Sequence, residues 1–145
     1  DLAGTKVRQI KYKKRRGFKY ILYHETSYPT GIIPETESPD LSWAALDKNG
    51  LLTVRKGYTF DGPSGPTIDT SDFMRGALIH DALYQLMREE VLPQSARKRA
   101  DEILHEICLA DGMSKFRAWY VYSAVRTFAA ESAKPNLITA PGEVK

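Results

Sequence analysis

The stretch that most constrains this chain is residues 73–91, where apolar side chains recur at helical spacing. At 100° per residue, Phe73, Gly76, Ala77, Ile79, Leu83, Tyr84, Leu86 and Met87 share one arc, and Arg75, Gln85 and Glu89 lie opposite. His80 falls in the middle of the apolar arc and Asp81 at its edge. An ionisable ring on a buried face needs a partner, because a buried polar group left unpaired costs roughly 1–3 kcal/mol. Residues 94–111 offer one: their own apolar face (Ala96, Ala100, Ile103, Leu104, Ile107) carries Asp101 at its rim. Antiparallel packing of the two helices predicts a His80–Asp101 pair, with Asp81 turned towards an opening.

Around this pair the chain reads in two parts. Residues 6–12 and 18–23 alternate in polarity and predict a hairpin turning at Arg16-Gly17. Residues 26–41 hold Pro29, Gly31, Pro34 and Pro39 and predict a loop or a broken edge strand. Asp47-Lys48-Asn49-Gly50 is a turn signal ahead of a strand at 51–54. Residues 61–72 form a Gly/Pro-rich connection ending in a helix cap at Thr70, Ser71 or Asp72. Leu92-Pro93 then breaks the chain, Ser95 is placed to cap the second helix, and Gly112 to end it. Ser114 caps a third helix from Lys115 to about Ala133, whose apolar residues surround it and predict thorough burial. The expected class is α+β: a small antiparallel sheet built from N-terminal hairpins, followed by three helices. One domain is expected over 1–133 (β-rich 1–60, rigid loop 61–72, helices 73–133), with a tail at 134–145.

Composition excludes some classes. A hydrophobic content of 42% with 27% charged residues is that of an ordinary globular protein. No signal-peptide pattern is visible, and no apolar run approaches the ~20 residues of a membrane span. The single cysteine, Cys108, lies on the buried side of the second helix and reads as core. The net charge of +3 is unevenly placed, with Lys13, Lys14, Arg15 and Arg16 in one basic run. That run is either a solvated hairpin turn or a patch meeting phosphates or another protein. Nucleic acid is the weaker choice, because Tyr12, Phe18 and Tyr20 already explain themselves as strand residues.

Histidine backed by a carboxylate suits a general base near neutral pH, the carboxylate fixing the tautomer. Asp81, about 100° round the helix from His80, would instead serve a cation supplied with loop oxygens, and Asp61 lies in such a loop. His105, four residues after Asp101, opens a second metal reading with His80, Asp81 and Asp101 as co-ligands. A third reading makes His80–Asp101 a satisfied buried fastener between helices, without chemistry.

His80-Asp81 followed by Tyr84, with Asp101 on the next helix, resembles the active-site signature of the phospholipase A₂ superfamily. Asp61-Gly62-Pro63-Ser64 is similar to the loop before that helix in bacterial and fungal members. The resemblance implies a phospholipase A₂-like antiparallel helix pair with His80 as general base, Asp101 as its partner and Tyr84 as supporting donor. It further implies that Asp81, Asp61 and Gly62 bind calcium and that the substrate is a phospholipid at a membrane surface. Over more of the chain, Phe60 to Pro66, His80 to Tyr84 and Ala100-Asp101 resemble an uncharacterised family common in phages and prophages. That resemblance implies a phage protein, placed in the host cytoplasm or the virion, whose partner is lipid or another phage structural component.

Overall fold

The computed structural model describes residues 12–14, 20–35, 37–60 and 70–135. Within them, the α+β class expected from the sequence is what the chain adopts. Strands β1 (Tyr12–Lys14), β2 (Tyr20–Leu22) and β6 (Thr59–Phe60) make one antiparallel sheet in the order β1-β2-β6. Strands β3 (Thr26–Pro29), β5 (Leu51–Val54) and β4 (Ala44–Leu46) make a second, in the order β3-β5-β4. Residues 26–29 thus form an edge strand, with Pro29 at its end where a missing N–H is tolerated. The β4–β5 turn is where the sequence puts it: the Asp47 carboxylate accepts the N–H groups of Asn49 (2.8 Å) and Leu51 (2.9 Å). Residues 15–19, with Arg15, Arg16 and the expected Arg16-Gly17 turn, lie outside the described residues, as do 1–11, 61–69 and 136–145.

Three helices follow: α1 (Ser71–Arg88), α2 (Arg97–Ala110) and α3 (Lys115–Phe128). Arg75 meets Asp111, Gly76 meets Leu104 and Cys108, and Tyr84 meets Arg97, so α1 and α2 run antiparallel. Arg126 and Tyr122 of α3 face Asp101 and His105, and Ala118 packs in one cluster with Cys108, so α3 runs antiparallel to α2 in turn. The main core joins the sheets (Leu22, Leu46, Leu52, Phe60) to α1 and α2 (Leu78, Leu83, Ile103, Ile107). A second cluster seals the N-terminal half of α1 against α2 and α3 through Phe73, Leu104, Cys108 and Val121. Cys108 is fully buried and its thiol is pushed up to about 12, by burial first and then by Asp111 and Asp72.

The helix ends show where local rules decide and where they do not. α2 closes as a Schellman motif, with Met113 N–H on the Cys108 carbonyl (2.9 Å), Gly112 N–H on that of Leu109 (3.1 Å), and Gly112 at φ 101°. α1 closes in the same way on Leu86 and Met87, but the left-handed residue there is Glu90, at φ 62°. Ser114 caps α3 by accepting Arg117 N–H at 3.2 Å, as expected. Ser95 does not cap α2: residues Gln94–Ala96 form a 3₁₀ turn and the N-cap position falls on Ala96. The third helix also departs from expectation. It ends at Phe128, with a separate 3₁₀ turn at Ala130–Ala133, and only Ala118 and Val121 of α3 are buried. Its aromatic residues surround the axis in sequence, but three helices around one seam bury only one face of α3.

Candidate functional site

His80 is carried inward because its neighbours at helical spacing, Gly76, Ala77, Leu83 and Tyr84, are all core residues of α1. Asp101 occupies the facing position on α2 and is fully buried, while His80 is 7% exposed. His80 Nε2 lies 2.7 Å from Asp101 Oδ1, and the Tyr84 hydroxyl donates to the same oxygen at 2.7 Å. The ring centroids of His80 and Tyr84, one helical turn apart on α1, are 4.2 Å from each other with the planes tilted by 35°. Arg126, reaching in from α3, donates to Asp101 Oδ2 at 2.8 Å, and Arg97 stands 3.6 Å from that oxygen. Arg97 also reaches the Tyr84 hydroxyl (3.4 Å) and the Val125 carbonyl (3.2 Å). One buried carboxylate therefore joins all three helices.

These contacts fix protonation states. Burial alone would raise the Asp101 carboxyl, but hydrogen bonds from His80 and Tyr84, the charge of His80 and the Arg126 hydrogen bond outweigh it and hold it below the usual carboxylate range. Tyr84 is raised well above an ordinary phenol, first by burial and then by the Asp101 carboxylate it donates to, so it remains a donor. An ionised carboxylate is acceptor-only, so His80 must donate from Nε2. In the neutral ring the lone pair then sits on Nδ1. Among the described residues nothing hydrogen-bonds that nitrogen.

Asp81 is half-buried on the adjoining side of α1. Asp61 and Gly62, its expected companions at a cation, lie outside the described residues, and so does the side chain of every residue in the basic run Lys13 to Arg16. His105 is not brought to the dyad but packs against Tyr122 of α3, with ring centroids 5.6 Å apart. Among the described residues no three His, Cys, Asp or Glu side chains gather as a metal-ligand set. Arg97 and Arg126 are additions that the sequence reading missed. Arg97 had a signal, since Arg and Asp four apart share a helix face; Arg126 had none, because only the docking of α3 brings it there.

The protein-family model described as Protein of unknown function (DUF1353) matches residues 39–125. The chain belongs to the DUF1353 family. The matched residues of this DUF1353 domain include His80, Tyr84, Arg97 and Asp101, and Arg126 is the next residue after them. No curated protein and no solved structure matches the chain. Among the described residues, no helix is long and apolar enough to cross a membrane.

Among the described residues, grooves lie away from this cluster. The larger, about 550 Å³, runs between residues 32–35 and 37–39 on one side and the α1–α2 connection on the other, and is lined by Ile32, Pro34, Glu90, Leu92 and Pro93. The smaller, about 350 Å³, adjoins it at Glu35, Glu90 and Val91. Neither is lined by His80, Asp81, Tyr84 or Asp101.

Proposed function

We propose that this DUF1353 protein is a phospholipase A₂-like ester hydrolase in which His80 activates water. The observation that carries the reading is the 2.7 Å contact of His80 Nε2 with a buried, ionised Asp101 that also holds Tyr84 at 2.7 Å. Asp101 keeps the imidazole in the tautomer whose Nδ1 can take a proton from water, and stabilises the imidazolium that results. Tyr84 and Arg126 hold Asp101 in place. Asp81 fits as one hard-oxygen ligand for calcium, with Asp61 and Gly62 as its proposed companions; calcium takes six to eight oxygens. Bound there, the ion would supply positive charge for an oxyanion. The proposed substrate is a phospholipid ester, met at the envelope of a host during phage entry or release.

A second reading rests on burial. With Asp101 fully buried and His80 only 7% exposed, the cluster also suits a fastener in a non-enzymatic phage accessory or virion protein, with the basic run docking a partner. One set of samples separates the two. Calcium titration by calorimetry and turnover of a fluorogenic phospholipid are measured on wild type, Asp81→Asn and His80→Gln. The hydrolase predicts saturable calcium binding lost in Asp81→Asn, turnover lost in both variants, and a His80→Gln melting temperature close to wild type. Neither heat nor turnover in wild type, with His80→Gln melting far lower, makes the cluster a fastener.

A further inference from the structure

The outer face of α3 carries a group of large aromatic side chains that the described fold leaves uncovered. Phe116 is 75% exposed, Trp119 57% and Tyr120 44%, and the rings of Phe116 and Trp119 touch, with centroids 6.1 Å apart. At 100° per residue these three share a stripe with Ser123 and Thr127, so the outward face is large at its N-terminal half and small at its C-terminal half. Phe128, 82% exposed, lies about 100° round the helix from Thr127 and so outside the stripe. With fully buried aromatics covering roughly 150–250 Å² each, Phe116, Trp119 and Tyr120 leave on the order of 300–400 Å² of aromatic surface per copy, close to half of the ~800 Å² per partner of a standard interface.

We infer that this face is the interface of an isologous dimer, formed by α3 of two copies crossing antiparallel between Tyr120 and Ser123. That arrangement sets large against small: Phe116 of one copy lies over Thr127 of the other, and Tyr120 over Ser123, twice by symmetry. A parallel crossing would set aromatic against aromatic and leave a void between the small halves. Charge agrees with the antiparallel choice. Lys115 stands exposed at the N-terminus of α3 and Glu131, with its side chain 83% exposed beside Lys134, just beyond the C-terminus, each at the end its own helix dipole disfavours. A second copy running the other way brings each towards the favourable dipole end of the facing helix. A lipid surface would instead have to bring the acidic Glu131 towards the headgroups. The dimer is independent of any chemistry at His80.

Sedimentation equilibrium of the full chain across the micromolar range tests this. The expected result is a dimer, converted to monomer by Trp119→Lys and by Phe116→Glu with unchanged circular dichroism. Ser123→Cys is expected to cross-link two copies under mild oxidation, since facing positions 123 are about one helical turn apart. Phe116→Cys, with its two copies on the order of 16 Å apart along the axis, is expected not to. Buried Cys108 does not compete. A wild-type monomer overturns the inference, as does a dimer that survives both charge variants. So does the reverse cross-linking pattern, or binding to phosphatidylglycerol vesicles by a monomer.

Discussion

The seam between α1 and α2 is built differently at its two ends. At one, Gly76 lets the helices approach so closely that a Cβ there would sit 3.0 Å from Leu104 Cδ1 and 3.1 Å from Cys108 Sγ. The contact is apolar, and the nearby Arg75–Asp111 pair (2.9 and 3.1 Å) lies at its margin. At the other end the seam is held by Asp101, a fully buried carboxylate with donors from α1 and α3. The first end sets close apolar contact beside one bidentate ion pair, Arg75–Asp111, whose side chains are 12% and 4% exposed. The second carries a desolvation cost that only a full set of partners offsets, and a buried ion pair is often no more stable than apolar packing. Asp101 is fully buried and shared among all three helices, so the polar end asks for a functional reason more strongly than the apolar end, where one carboxylate meets one arginine.

Removing the carboxylate breaks that comparison most sharply. Asp101→Ala leaves His80, Tyr84 and Arg126 without their acceptor and is expected to cost about 3–5 kcal/mol by urea denaturation. The pH dependence should follow. Because the folded-state carboxyl is held low, its contribution is present in full above the unfolded value of about 3.9 and is lost as pH falls through the folded value. Tyr84 works in the opposite direction. Raised when folded, it contributes fully below about 10, and that contribution is lost as pH rises towards its folded value. Asp101→Asn should flatten the acid limb of stability against pH, and Tyr84→Phe the alkaline one; an acid limb unchanged in Asp101→Asn would mean that other carboxylates set it.

At the apolar end the expected loss is smaller and of a different kind. Gly76→Val forces side-chain volume into the α1–α2 contact and should cost about 1–3 kcal/mol. Leu104→Ala, itself destabilising, should recover part of that loss in a double-mutant cycle, because the Leu104 methyl is the nearest atom. Additive losses would place the strain in the backbone.

How much of this was legible follows the same division. The phases of α1 and α2 could be read because their apolar residues repeat on one face, and that repeat alone brought His80 and Asp101 together. Tyr84, one turn after His80, came with the same periodicity. Arg126 could not be read, since its place depends on how α3 docks. For α3 the pattern itself misled: Phe116, Trp119 and Tyr120 look like core in sequence, yet the face that carries them points outward. Ser95 offered a cap, but the chain enters α2 through the 3₁₀ turn that follows Pro93, and local capping chemistry lost to that geometry.

The helix stops at the two ends of the seam offer the finest test. Beside the apolar end, α2 turns through Gly112, where a left-handed backbone carries no side-chain penalty. Beside the polar end, α1 turns through Glu90 at φ 62°, with the same two hydrogen bonds, Val91 N–H to Leu86 (2.8 Å) and Glu90 N–H to Met87 (3.0 Å). A non-glycine residue there costs roughly 1–2 kcal/mol, while glycine adds about 0.5–1 kcal/mol of unfolded-state freedom. Glu90→Gly is therefore expected to stabilise the fold by about 0.5–1 kcal/mol, visible as a small rise in melting temperature. The substitution Gly112→Asn should instead be mildly destabilising. If Glu90→Gly gains nothing, the side chain itself must be contributing at that position, where it lines the groove of about 550 Å³. The polar end would then hold a second feature kept for something other than stability.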